Sequence, residues 1–427
     1  MINPLPLVIA DIRHTRTGVI ALILLIAIAV ALGVAVSAQE RALRTGGNKA
    51  ADPFDLLVGA PGSQTQLLMS TVYLQPAAVD LIDGSILQAM SQQAGIHYAA
   101  PLAFGDSYQG YPVVGTTAQF VSLDGQRTLT EGRLFQSMTE AVIGADVKLA
   151  LQDRLQARHG QIALDELDAD EDDELLHRQI TYTVVGRLPR LGSPWDRAIM
   201  VPVEAIWRTH GLSTGHRENE ILSIQASRQG HKLDWSALKI GPPWDADHIP
   251  GVPAIVIKPV SVRDAYVLRN YYRRHDATTA FFPAEVLLEL YALLGDARFL
   301  FASMAVATQV LVLGAMLLAV FAALALRRRQ LGVLRALGAS RSYLFAAIWS
   351  YTVIVITLGA ALGLALGWLT ALLLSSWVGN TTGLLLPVSL GTKEFLMVAA
   401  LIGIGFLLAL IPSITAYRHS VASLLRA

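Results

Sequence analysis

The sequence predicts a membrane protein of four transmembrane α-helices, with a large α+β extracytoplasmic domain inserted between helices 1 and 2. Three observations predict it. Only 15% of the 427 residues are charged while 53% are hydrophobic, against about 25% charged in soluble domains. Four windows, Gly18–Ala38, Phe299–Leu326, Tyr343–Val378 and Phe395–Tyr417, contain no Asp, Glu, Lys, Arg or His, and roughly 20 apolar residues suffice to cross a bilayer. The charges also divide by region. Gln39–Arg298 holds 23 basic and 31 acidic residues, whereas the N-terminal segment, Arg327–Arg341 and the C-terminal tail hold nine arginines and one acid, Asp11.

Residues 1–17 carry Arg13 and Arg16 and are expected on the inner side, because cytoplasmic segments are enriched in Lys and Arg while long domains translocate largely regardless of charge. Val36-Ser37-Ala38 resembles the small-residue site of a signal peptide, but signal-peptide apolar regions run about 7–15 residues and this one has 21. An uncleaved first helix, 18–38, is therefore expected. It continues outward as a stalk to about residue 45, where Gly46-Gly47 should stop it.

Residues 46–282 make the external domain. Short runs at Phe54–Val58, Val113–Val121, Ile180–Val185 and Ala254–Ile257 read as strands, and Val262–Arg274 reads as a helix. Gly192-Ser-Pro-Trp195 and Gly241-Pro-Pro-Trp244 mark loops. Trp195, Trp207, Trp235 and Trp244 either pack inside or line a binding face. Asp165–Glu174 has eight acids in ten residues, flanked by His159 and His177. It reads as a solvated charged loop or as a weak cation site with zinc character, without the glycine spacing of an EF-hand.

Residues 283–326 return as stalk and second span, opening on Pro283, which suits a first helical turn. The Arg-rich segment 327–342 lies inside. The third span, 343–378, is long, so it projects beyond the bilayer or bends at Gly359, Gly363 or Gly367. A short external loop, 379–394, precedes the fourth span, 395–417, and the cytoplasmic tail, 418–427.

Within the Arg-rich segment Leu331, Leu334 and Leu337 recur every third residue, and Val333 with Leu337 adds an i, i+4 pair. They form an apolar strip on a short helix. Gly332 and Gly338 permit close approach, and Ser340 is placed to cap the following helix. Such an element calls for a cytoplasmic partner with a groove.

Arg-Arg-Arg-Gln-Leu-Gly-Val-Leu-Arg-Ala-Leu-Gly-Ala-Ser, 327–340, resembles the hallmark of MacB/FtsX-like permeases of ABC transporters, which typically read Arg-Arg-x-Glu-Ile-Gly-x-Leu-Arg-Ala-Leu-Gly-Ala between their second and third spans. Gln330 departs from the usual Glu. Pro412–Arg418 with Leu424-Leu-Arg426 resembles the family's closing segment, and Phe54–Ser63 and Gln66–Tyr73 resemble one subgroup's external opening. The resemblance implies a homodimeric permease in a bacterial inner membrane, its large domain in the periplasm, working with a separate cytoplasmic ABC ATPase. ATP and Mg would sit on that ATPase, and no cofactor on this chain. The coupling residues would be Arg329, Leu331, Gly332, Leu334, Arg335, Leu337, Gly338 and Ser340, and the load a periplasmic substrate or accessory protein. A zinc-acquisition permease and a non-transporting envelope regulator are the alternatives.

The residues exclude several classes. No Gly-x-x-x-x-Gly-Lys-[Ser/Thr] loop occurs, and Gly59-Ala-Pro-Gly62-Ser63 lacks the lysine that would reach a phosphate. There are no cysteines, no His-x-x-x-His pair and no Ser-centred elbow. His97 and His210 read as ordinary surface or satisfied residues. An enzyme is not expected, nor a metal site on residues outside the acidic stretch, nor a nucleic-acid partner. Beyond the coupling partner, lipids contact the spans. Uncharged spans also argue against a proton or ion relay through the helices.

Overall fold

The computed structural model describes residues 3–159, 180–228, 233–326 and 333–418. The chain forms two compact units, one of Met1–Thr45, Ala292–Trp377 and Leu386–Ala427, the other of Gly46–Tyr291 and Val378–Leu385.

Among the described residues the second unit is built on a mixed sheet of eleven strands. They are β1 (Leu56–Gly59), β2 (Ile96–Tyr108), β3 (Tyr111–Thr116), β4 (Glu131–Gly132), β5 (Glu140–Ile143), β6 (Arg154–Leu155), β7 (Arg158–His159), β8 (Tyr182–Arg187), β9 (Ile199–Pro202), β10 (Ala254–Pro259) and β11 (Thr279–Phe281). The order is β11-β1-β10-β2-β3-β9-β5-β8-β4, with β6 on β8 and β7 on β2. Pairing is parallel at β3–β9 and β5–β8 and antiparallel elsewhere.

One long strand links two sets of strands in this sheet. The first part of β2, from Ile96 to Leu102, pairs with β10. From Ala103 onward it pairs with β3, with a register shift between Ala103 and Asp106. The central strands are apolar on both faces, as burial on both sides requires: Leu56, Leu57 and Val58 of β1, and Ile255, Val256 and Ile257 of β10, are all buried. Side-chain caps start the helices around them. Ser63 accepts the Gln66 N–H at the start of α3 (Gln64–Thr71), and Asp83 that of Ser85 at α4 (Gly84–Gln92). Thr117 and Ser261 do the same for α5 (Ala118–Val121) and α8 (Val262–Arg274). Among the described residues this unit also has α6 (Val203–Thr209) and α7 (Arg217–Arg228).

One local expectation is corrected here, and one of two open readings is decided. Val113–Val121 is not one strand, because Thr117 caps α5 and ends the extended run. The tryptophans pack: Trp195, Trp207 and Trp244 are buried, Trp195 against Phe54 and Phe120, while half-buried Trp235 lies under the Arg208 guanidinium. The acidic stretch 165–174 and His177 lie outside the described residues.

The first unit is helical. It contains α1 (Leu5–His14), most of α2 (Arg16–Ala51), α9 (Pro283–Leu326) and α10 (Arg341–Thr382), and α11 (Thr392–Arg418). Val19, Ile26, Val30 and Val34 line one face of α2 at helical spacing and meet Leu313 of α9, Val355 and Ile356 of α10, and Val398 and Leu401 of α11. Among the described residues three helices are long and apolar enough to cross a membrane, Arg16–Ala51, Arg341–Thr382 and Thr392–Thr415. The expected second span falls within α9, whose described apolar run is the shorter Val306–Ala315.

One helix end differs from expectation. The first long helix runs through Gly46-Gly47 to Ala51. Gly47 is there for space: a Cβ would lie 2.2 Å from the Tyr291 hydroxyl, and the Tyr73 hydroxyl donates to the Gly47 carbonyl at 3.1 Å.

Candidate functional site

The segment joining α9 to α10 is where sequence reasoning places the function. Residues 333–336 are helical. The helix ends in a Schellman motif: the Ala339 N–H bonds the Leu334 carbonyl at 3.0 Å and the Gly338 N–H bonds that of Arg335 at 3.1 Å. Gly338 holds φ +101 at the position where this motif demands a left-handed residue. Two residues later Ser340 accepts the Tyr343 N–H at 3.1 Å and starts α10. The stop of one helix and the start of the next are thus fixed within three residues.

This geometry decides which side chains face outward. Leu337 is 81% exposed and Val333 47%. Leu334 and Arg335 are half-buried. Of the expected coupling residues the structure brings Leu334, Arg335, Leu337, Gly338 and Ser340 together in this turn. Arg329, Leu331 and Gly332 lie outside the described residues. An apolar side chain held outward on a capped turn can act as a knob for a complementary groove.

The turn leads directly into α10. Gly359, Gly363 and Gly367 do not interrupt α10, which is continuous over 42 residues. They lie against α2 instead. A Cβ on Gly363 would be 2.6 Å from the Val30 Cβ and 2.7 Å from the Ala27 carbonyl oxygen, with similar distances for Gly359 at Ile26 and Gly367 at Val34. Small residues four apart let two helix backbones approach where lipid offers no hydrophobic drive between helices.

Sequence reasoning missed a polar contact in this unit. Arg41 donates to both carboxylate oxygens of Glu394, at 2.6 and 2.8 Å, and to the Ser389 carbonyl at 2.7 Å. The Gly391 N–H also binds Glu394, at 2.7 Å. Lys393 and Glu394 together gave no net charge to notice. A lone acid at the mouth of an uncharged span was the available signal.

In the other unit Asp106, buried, meets the His210 imidazole at 3.2 Å, and His97 pairs with Asp124 at the surface. Glu204 accepts from the Trp244 indole and the Gly241 N–H, both at 2.7 Å. Among the described residues no three His, Cys, Asp or Glu side chains are grouped to hold a metal. Burial raises the Asp196 carboxyl above the ordinary carboxylate range against the pull of two backbone N–H donors.

Residues 302–421 match the family model of the FtsX-like permease C-terminal region. That stretch takes in the segment 333–340 and both helices after it. No curated protein matches the chain significantly. Among solved structures the chain is similar to the periplasmic region of MacB from Actinobacillus actinomycetemcomitans, at 11% identity and a TM-score of 0.32, over 56% of this chain and 95% of that one. It is also similar to the extracellular domain of the noncanonic ABC-type transporter YknZ from Gram-positive bacteria, at 11% identity and a TM-score of 0.27, over 53% of this chain and 98% of that one.

Proposed function

We propose that this chain, an FtsX-like permease over residues 302–421, is the membrane subunit of an ABC-type complex that turns ATP binding and hydrolysis by a separate ATPase into motion of its external domain. Four crossings, with both termini and the segment 327–342 inside, follow from the distribution of arginine. The external domain then lies across the inner membrane from the ATPase, and two copies of the chain work as a homodimer. Export, release or control of an envelope substrate are all uses of such a stroke.

The observation that carries this reading is the capped turn at 333–340. It presents Leu337 outward and passes through the Ser340 cap directly into α10. A push on Leu337 reaches a continuous helix within one turn. The helix is packed along α2 by close glycine contacts, so the push is not dissipated in a flexible loop. The zinc reading rested on 165–174, and none of the described residues add to it.

The test is capture of the ATPase by the tagged full chain in detergent. Leu337→Asp and Leu334→Asp are expected to abolish capture while the chain stays monodisperse. Capture at the wild-type level in both variants overturns the reading. Because the sequence lacks cysteine, Arg335→Cys can also be labelled from either side of intact membranes. Labelling from outside would invert the assignment.

A further inference from the structure

The outer end of α10 is held by the external domain's own residues. Val378–Leu385 belongs to the same unit as that domain, although it includes the last turn of a membrane helix. Gly383, at φ +75, returns its N–H to the Gly379 carbonyl at 2.8 Å, the single bond of a left-handed C-cap. Carbonyls later in the turn have no donor within the helix. Arg197 supplies one, its Nη1 donating to the carbonyls of Asn380 and Thr381 at 2.9 Å each. The chain then continues along the same loop, where the Leu385 N–H bonds the Gly192 carbonyl at 3.1 Å.

The loop that carries these partners is braced. Asp196, 1% exposed, accepts the N–H groups of Leu191 and Gly192, both at 2.7 Å. Trp195 is buried between Phe54 and Phe120, and its indole donates to the Thr71 carbonyl at 3.3 Å. A guanidinium so placed adds a favourable charge at the negative end of a helix dipole. The fit is tight, for a Cβ on Gly383 would come within 3.2 Å of the Arg197 Cδ and the Pro194 Cα.

We propose that Arg197 is a positioning residue that clamps the C-terminal end of α10 to the external domain, so that the helix end and the loop 191–197 move as one body. Its significance for coupling rests on the permease reading above, but the clamp itself does not need the ATPase to be seen.

Hydrogen exchange on the full chain in lipid nanodiscs tests it. Arg197→Ala is expected to speed exchange over 383–385 about tenfold or more, since the local opening that the guanidinium opposes becomes easier. Arg197→Lys should fall between, because an ammonium keeps the charge but loses the planar two-bond geometry. Exchange in β10, 254–259, should not change in either variant, which shows the domain still folds. Wild-type exchange over 383–385 in Arg197→Ala overturns the proposal, as does Arg197→Lys behaving no better than Arg197→Ala. Capture of the ATPase is expected to survive Arg197→Ala, so a chain that captures no ATPase even as wild type sinks the permease reading and leaves the exchange result to judge the clamp.

Discussion

Arg41 and Glu394, 353 positions apart in the sequence, form a two-pronged ion pair that joins the outer part of α2 to the first turn of α11. The Glu394 side chain is fully buried and that of Arg41 is 30% exposed. Removing one partner leaves a charge with no counterpart in a poorly hydrated place. A fully buried pair loses about 3–5 kcal/mol on such a change; partial exposure of Arg41 puts the expected loss for Arg41→Ala at about 2–4 kcal/mol. Thermal unfolding in detergent measures it. The double variant Arg41→Ala/Glu394→Ala should cost clearly less than the sum of the singles, and additive costs would show that the two are not coupled.

The glycines of α10 separate packing from flexibility. Gly363→Ala places a methyl group 2.6 Å from the Val30 Cβ and 2.7 Å from a carbonyl oxygen, an overpacking expected to cost about 1–3 kcal/mol. Gly403, in α11, has nothing within 4 Å of an added Cβ. Gly403→Ala should be neutral or gain up to about 1 kcal/mol from helix propensity. If both substitutions stabilise, the three α10 glycines are not there to admit α2.

These two contacts mark what the sequence could and could not show. The apolar windows, the helix Val262–Arg274 with its Ser261 cap and the N-cap role of Ser340 are local, so spacing and residue type suffice to read them. The course of β2 is not local. Nothing near Ala103 says that one strand will pair with β10 before it and β3 after it: β3 follows at once, but β10 lies more than a hundred residues further along the chain. Gly46-Gly47 reads as a stop by propensity alone, and the packing of Tyr73 and Tyr291 around Gly47 overrides it. The same limit hid Arg197, whose partners are backbone carbonyls of residues 380 and 381. For the coupling segment the order was reversed: the motif was plain in sequence, and the structure added that Leu337 faces outward more than Leu334.

Acid should loosen the external domain partly through Glu140. Its carboxylate takes Arg133 on both oxygens and the Gln136 N–H. The Arg133 hydrogen bond, ahead of burial which opposes it, holds the Glu140 carboxyl below its ordinary value of 4.5. A group whose pKa is lower in the folded state contributes stability that is complete above its unfolded pKa and is lost as pH falls through the folded one. The contribution should therefore be constant above about pH 5.5 and decline below pH 4.5. Glu140→Gln should lower stability at neutral pH and flatten the acid limb of an unfolding series from pH 7 to pH 3. An unchanged acid limb would remove Glu140 from the account.

The cap of the coupling turn makes the sharpest demand on a single residue. Gly338 sits at φ +101 with open space around it, so any cost of a side chain there is conformational and not steric crowding by neighbours. A residue with a Cβ pays about 1–2 kcal/mol to enter the left-handed region, and Asn less than most because its amide bonds locally. Gly338→Val should thus unravel the turn, Gly338→Ala should loosen it, and Gly338→Asn should be the mildest of the three. Ser340→Ala should cost about 1 kcal/mol by leaving the Tyr343 N–H without its cap. Limited trypsin digestion at Arg335 and Arg341 reads the loosening directly, and ATPase capture should fall in the same order, Asn, Ala, Val. Equal capture in all three variants, with faster cleavage in Val, would mean that the ATPase grips this segment without regard to the shape of its turn.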